Sequence, residues 1–221
     1  MFTMNKKIKL DIISDVVCPW CVIGYRHLDA AIRELNLQDK VEIEWQPFEL
    51  NPNMAIEGED LRAHMARKYG TSRKDSDRAR TELTQRGERY GFNFDYFDGM
   101  KMVNTLNAHI LLALAHDLGK QTALKMRLFS AYFTEHKDIS DSDVLINEAK
   151  AVGIEPQQAH TALAGDHLRQ RTKSRQLEWQ KMGITAVPTV VINRSSAVSG
   201  AQPQATFKQI LLELVAENKT H

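Results

Sequence analysis

The first fifty residues constrain the fold more than any other part of the chain. Ile8-Lys9-Leu10-Asp11-Ile12-Ile13 alternates and then runs apolar, as a strand does. Val22, Tyr25, Leu28, Ile32 and Leu35 then recur at helical spacing. Val41-Glu42-Ile43-Glu44-Trp45 alternates again, and Pro47 and Pro52 mark irregular chain beyond it. Strand, helix, strand predicts a parallel pair joined by a right-handed crossover. The two cysteines of the chain, Cys18 and Cys21, fall at the junction of the first strand and the helix, in D-V-V-C-P-W-C (15–21).

Two thiols three residues apart can staple a fold, hold a metal or carry a reaction. A chain of 221 residues, 43% hydrophobic and 26% charged, buries a core without cross-links. A disulfide closing so short a loop removes little entropy from the unfolded chain. Compartment also argues against a staple. Lys9 and Asp11 interrupt the N-terminal apolar residues, so no secretory stretch is expected, with Met1 as the start or Met4 as an alternative one. No run approaches the ~18 apolar residues of a membrane span. The expectation is a cytoplasmic protein without membrane association, and the cytosol keeps most thiols reduced. A structural zinc site needs four ligands. There is no third cysteine, none of the eight histidines forms an H-x₃₋₅-H pair, and His27 stands alone on the first helix, so no metal is expected. A net charge of +1 provides no footprint for nucleic acid.

A reaction fits the placement. Residues i and i+3 of a helix bring their Cβ atoms to about 5–6 Å, close to disulfide geometry. The first turn offers unpaired N–H groups and the positive end of the helix dipole, both of which favour an anion. Pro19 suits the first helical position because it has no N–H to leave unpaired. Cys18, at the helix start, is therefore the expected attacking thiol. Cys21, one turn further in and less exposed, is expected to resolve the mixed disulfide.

Beyond residue 59 the pattern becomes helical throughout, up to residue 182. The expected helices run over residues 61–69, 76–90, 105–118, 120–135, 142–152, 157–163 and 166–181. Asp138-Ile139-Ser140-Asp141-Ser142-Asp143 has a superficial likeness to a calcium loop but lacks its glycine and bidentate glutamate, so Ser140 or Asp141 is read as a helix cap. Arg169 to Arg175 is read as a solvated helix face. Thr189 to Ile192 is a buried strand, Asn193 to Ser196 a turn, and Ala197 to Ser199 a short return strand. Pro203 then opens a helix bearing Phe207, Ile210, Leu211, Leu214 and Val215. Neither flanking part has strands enough for a sheet of its own. The expected fold class is therefore α/β, with residues 1–58 and 183–221 forming one sheet domain. Residues 59–182 form a helical insertion whose last helix is shared with the core.

Several stretches in this order carry a resemblance over almost the whole chain. They are S-D-V-V-C-P-W-C-V-I-G from Ser14, N-T-L-N-A-H from Asn104, L-F-S-A-Y-F from Leu128, D-I-S-D from Asp138, and A-V-P-T-V-V-I with V-S-G-A-Q-P ending at Pro203. The set resembles the DsbA-like thioredoxin family, and within it the cytoplasmic FrnE-like branch. The resemblance implies a thioredoxin-like fold interrupted by a helical domain, and thiol–disulfide oxidoreductase or isomerase activity. It implies that Val187-Pro188 is the cis-proline element beside the dithiol, offering backbone groups to a substrate peptide. Pro19 and Trp20 join it as substrate-binding residues, with Trp20 an apolar wall. Trp20 stands where DsbA has a histidine, so a less oxidising pair is expected. His109 is a candidate proton relay facing the dithiol, set against a histidine satisfied in interdomain packing.

No tightly bound cofactor is expected beyond the redox-active Cys18–Cys21 disulfide, with glutathione a candidate co-substrate. The expected partners are disulfide-containing proteins or small thiols and disulfides. Two other functions fit the architecture. One is a glutathione-dependent isomerase or transferase of the kappa-like kind, in which serine replaces the first cysteine. The other is a non-catalytic chaperone or biosynthetic accessory protein using an apolar groove near Trp20.

Overall fold

The computed structural model describes residues 7–217; the N-terminal stretch bearing Met4 lies outside them. Strand β1 (Ile8–Ser14) leads into helix α1 (Pro19–Glu34) and strand β2 (Val41–Pro47). The two strands run parallel with Ile8 opposite Val41 and Ser14 opposite Pro47, as the strand-helix-strand pattern requires. Near the C-terminus, β5 (Thr189–Ile192) pairs antiparallel with β1, and β6 (Ser196–Ser199) with β5. The sheet order is β2-β1-β5-β6. β1 is central, which explains its near-continuous burial.

Alternation along β1 sends neighbouring residues to opposite faces. Ile8, Leu10 and Ile12 join the main core with Val22, Ile23 and Leu28 of α1 and with Phe207 and Leu211 of α9 (Gln204–Glu217). Ile13 points the other way, into a smaller cluster with Phe48, Val191 and Trp179. Trp179 belongs to α8 (Asp166–Lys181), which packs on β2 as well as on the insertion.

Within the insertion lie α2 (Leu61–Tyr69), α3 (Arg73–Arg89), α4 (Leu106–Asp117), α5 (Gln121–Phe133), α6 (Ser142–Ala151) and α7 (Pro156–Ala164). Gly70 ends α2 with φ +66°, a conformation costly for other residues. Asp141 caps α6 by accepting from the Asp143 and Val144 N–H groups. The insertion is not helical throughout. Two-residue strands β3 (Glu59–Asp60) and β4 (Lys101–Met102) pair antiparallel. Between α3 and β4 the chain is irregular because Phe92, Phe94 and Tyr96 alternate instead of following a helical period. Phe94 packs edge-on to Phe133 with ring centroids 5.1 Å apart. α3 also begins earlier than its apolar pattern indicates. Ser72 accepts from the Asp75 N–H while its hydroxyl donates to the Asp75 carboxylate, which starts the helix at Arg73.

The insertion and the sheet share one continuous core. β2 is an edge strand, and α5 covers that edge through a side chain. Gln121 Oε1 accepts from the Trp45 N–H at 2.8 Å, and Gln121 Nε2 donates to the Trp45 carbonyl at 2.9 Å. The carboxamide thus completes the hydrogen bonds that an adjoining strand would supply.

Candidate active site at the start of α1

Cys18 caps α1 with an extended backbone (φ −95°, ψ 109°), and Pro19 takes the first helical position. Both cysteines are free and buried. The Cys21 N–H donates to the Cys18 carbonyl at 3.1 Å. Cys18 retains 4% of its surface, Cys21 none, and Trp20 between them is 40% exposed. Burial pushes the Cys21 thiol well above its ordinary range, and its hydrogen bond to Cys18 acts in the same direction.

Cys18 opens on a groove of about 380 Å³ between the sheet domain and the insertion, walled by Val17, Trp20, Leu83, Tyr96 and Val187. Arg86 of α3 lies 5.6 Å from the centre of the Trp20 ring, a cation–π contact that ties the dithiol loop to the insertion. The Val187–Pro188 peptide is cis. Pro188 is buried against α1 at Gly24, where a Cβ would stand 3.2 Å from Pro188 Cγ and 3.3 Å from Ala201 Cα. A side chain there would push the two segments apart by a few tenths of an ångström.

Cys18, Pro19, Trp20 and Val187 therefore share one groove, with Pro188 packed beside it. His109 is elsewhere. Its Nε2 lies 3.2 Å from Asp15 Oδ1 and 3.1 Å from the Phe48 carbonyl. Two acceptors on one ring nitrogen place a proton there. Asn104 accepts the Leu106 N–H at 3.0 Å at the start of α4, and His27 Nδ1 meets the Gln202 carbonyl at 2.7 Å. Arg169 and Arg171 are half-buried instead of solvated. Arg171 bridges α8 to α4 through the Ala113 carbonyl and Asp117, both at 2.8 Å. No group of three or more His, Cys, Asp or Glu placed to hold a metal ion occurs among the described residues.

Two residues behind the dithiol escaped the sequence reading. Asp15 is fully buried, accepting from the Val16 and Leu50 N–H groups at 2.7 Å each and facing His109. Burial opposes its charge, but the hydrogen bond and charge of His109, the Leu50 N–H and Lys125 outweigh that cost and hold the carboxyl below its ordinary range. Lys125 of α5 is also fully buried, and its Nζ lacks a hydrogen-bond partner. Both left a signal in the sequence. Asp15 is a lone charge in an apolar run. Lys125 sits on the apolar face marked by Leu128, Phe129 and Tyr132, at i+3, i+4 and i+7.

A dithiol at a helix start, beside a cis-proline and between a four-stranded sheet and a helical insertion, defines a thioredoxin-like redox protein. The DSBA-like thioredoxin domain profile matches residues 9–212, and the chain belongs to that family of thiol–disulfide oxidoreductases. It is 26% identical over 208 residues to the uncharacterized protein YwbO of Bacillus subtilis, covering 92% of this chain and 96% of that one. The probable DsbA oxidoreductase SCO1869 from Streptomyces coelicolor superposes with a TM-score of 0.89 at 27% identity, over 95% of this chain and 91% of that one. The cytosolic disulfide reductase DsbM from Pseudomonas aeruginosa shares the fold, with a TM-score of 0.66 at 17% identity over 94% and 98% of the two chains. No helix among the described residues is long and apolar enough to cross a membrane.

Proposed function

We propose that this protein is a cytoplasmic thiol–disulfide oxidoreductase or isomerase of the FrnE-like branch. Its substrates are disulfides of proteins or small molecules, with glutathione as a co-substrate. The observation that carries the reading is the unequal placement of the two sulfurs: Cys18 opens on the groove and Cys21 is sealed behind it. In the reductive direction the Cys18 thiolate attacks a substrate disulfide. A Cys18–substrate bond forms and the first substrate sulfur leaves as a thiolate. Cys21 then attacks Cys18, closes the Cys18–Cys21 disulfide and releases the second substrate thiolate. The oxidative direction is the reverse. Trp20 and Val187 supply apolar contact to the substrate on either side of the reacting sulfur.

Insulin reduction and reactivation of a scrambled disulfide substrate test the reading, with Cys18→Ser assayed alongside. Wild-type activity that disappears in the variant is expected, and equal activity in both contradicts the proposal. The reduction potential of the pair sets the direction, because each 30 mV changes the free energy by about 1.4 kcal/mol.

A further inference from the structure

The groove in front of Cys18 is walled mostly by apolar side chains, but one unpaired cation faces it. Arg80 of α3 lines the groove together with Leu83, Tyr96 and Phe133. Ser76, Leu83 and Gly87 mark the buried face of α3. Arg80 lies four residues after Ser76 and three before Leu83, so it shares that face. An arginine therefore occupies a helix position that an apolar side chain would ordinarily fill.

No carboxylate of the protein answers its charge. Among the described residues Arg80 makes no hydrogen bond and no ion pair. The carboxylates around it are taken. Asp77 and Asp98 line a separate depression that Arg80 also borders, and Arg62 holds them at 2.7 and 3.1 Å. Glu82 lines the groove, but Arg86 donates twice to its Oε1, at 2.9 and 2.7 Å. His64, also on the groove wall, meets Glu59 at 2.7 Å. What Arg80 has is the face of the Tyr96 ring, whose centre lies 5.4 Å from its Cζ. That ring stacks in turn on Phe94, with centroids 5.9 Å apart. The Tyr96 hydroxyl is itself buried without a hydrogen-bond partner, so this part of the wall is short of acceptors. Burial and the nearby charge of Arg62 hold the guanidinium below its ordinary value. A carboxylate arriving in the groove would offset the hydration that Arg80 has lost.

Position along α3 separates the cation from the chemistry. Arg86 stands over Trp20, between the two cysteines. Arg80 comes six residues earlier, about 9 Å back along the helix axis. The groove thus presents a reacting sulfur, aromatic and aliphatic walls, and a cation displaced along α3. One unpaired cation matches one negative charge, as a carboxylate carries.

We propose that the groove selects small disulfides with an apolar, aromatic body and a carboxylate, which Arg80 grips with its planar fork; the proposal rests on the dithiol reading above and narrows its substrate. The carboxylate pairs with Arg80, the aromatic body lies along the wall, and the disulfide meets Cys18. The Cys18 thiolate bonds to the nearer sulfur, the substrate S–S bond breaks, and the far half leaves as a thiolate.

The test uses Cys21→Ser protein, in which the reaction stops at the mixed disulfide, with 4,4′-dithiodibenzoate and its neutral dicarboxamide as probes. The ratio of their rate constants cancels effects common to both disulfides. Adding Arg80→Gln should lower the carboxylate-to-carboxamide ratio by roughly 10–100-fold, the range for a hydrogen-bonded charge pair. Arg80→Lys, which keeps the charge and loses the fork, should lower it less. Oxidised glutathione, anionic but without an aromatic body, should lose much less than dithiodibenzoate in Arg80→Gln. If the Arg80 variants do not fold, protection decides: 4-(methylthio)benzoate should slow iodoacetamide alkylation of Cys18 in Cys21→Ser protein, and 4-(methylthio)benzamide should not. An unchanged ratio, an equal loss with oxidised glutathione, or equal protection by acid and amide overturns the proposal. Adduct formation no faster than in Cys18→Ser overturns the dithiol reading instead.

Discussion

The dithiol has two sides of opposite character. In front of Cys18 is an apolar groove shared between the sheet domain and the insertion. Behind Cys21 lie buried Asp15, His109 and Lys125, and beyond them a polar cavity. The front can hold and desolvate an apolar substrate surface, although Arg80 and Glu82 also line it. The back holds charged groups away from the groove. A disulfide exchange needs both, because electrons pass between sulfurs at the front while a proton must leave Cys21 in a site closed to bulk water.

The front is broken most severely at its reacting atom. Cys18→Ser should reduce disulfide exchange on the order of 1,000-fold or more, as expected when a nucleophile is removed. Stopped-flow turnover of a model disulfide measures this. Cys21→Ser should still form the mixed disulfide and fail to release it, which intact-mass analysis detects as a persistent adduct.

The back should show itself in stability. Asp15→Asn leaves His109 and two backbone N–H groups with a poorer acceptor, and should cost about 2–4 kcal/mol at neutral pH. The pH dependence has a defined sign. The folded-state Asp15 carboxyl lies below its ordinary value, so its contribution is complete above the unfolded value of about 3.9 and is lost as pH falls through the lower folded value. Denaturant midpoints of wild type and Asp15→Asn should therefore converge in acid below about pH 4. A gap that stays constant from neutral pH to acid contradicts the account.

The groove walls should show smaller effects. Trp20→Ala should raise KM for apolar disulfide substrates by roughly 3–10-fold with little change in kcat, in line with one aromatic contact. Arg86→Ala removes the cation–π contact to Trp20 together with an exposed ion pair to Glu82, and a rise of about 2–5-fold in KM is expected. A larger loss in kcat than in KM for either variant would move that residue from substrate binding to chemistry.

The two sides also differed in how far the sequence disclosed them. Cys18 and Pro19 were legible because a strand leading into a helix start has a local pattern, whereas Trp20 and Val187 entered through the family resemblance. The helical insertion was legible for the same reason, except where Phe92, Phe94 and Tyr96 break the period. The back was not. Asp15, His109 and Lys125 come from the loop after β1, from α4 and from α5, and the local signals at Asp15 and Lys125 do not say that the three come together. His109 was read either as a relay facing the dithiol or as a histidine satisfied in packing, and its Nε2 is engaged by Asp15 and the Phe48 carbonyl. Gln121 fastens α5 to the β2 edge through Trp45, a contact between residues 76 apart in sequence. Long-range side-chain pairing of this kind has no periodicity to read.

The division between front and back is tested most directly by the intrinsic reactivity of each sulfur alone. Iodoacetamide alkylation rates at neutral pH compare Cys18 in Cys21→Ser with Cys21 in Cys18→Ser. Cys18 should react on the order of 100-fold faster, because it opens on the groove at the helix start while burial holds Cys21 protonated. Equal rates, or a faster Cys21, would contradict the assignment of attack to Cys18 at the front.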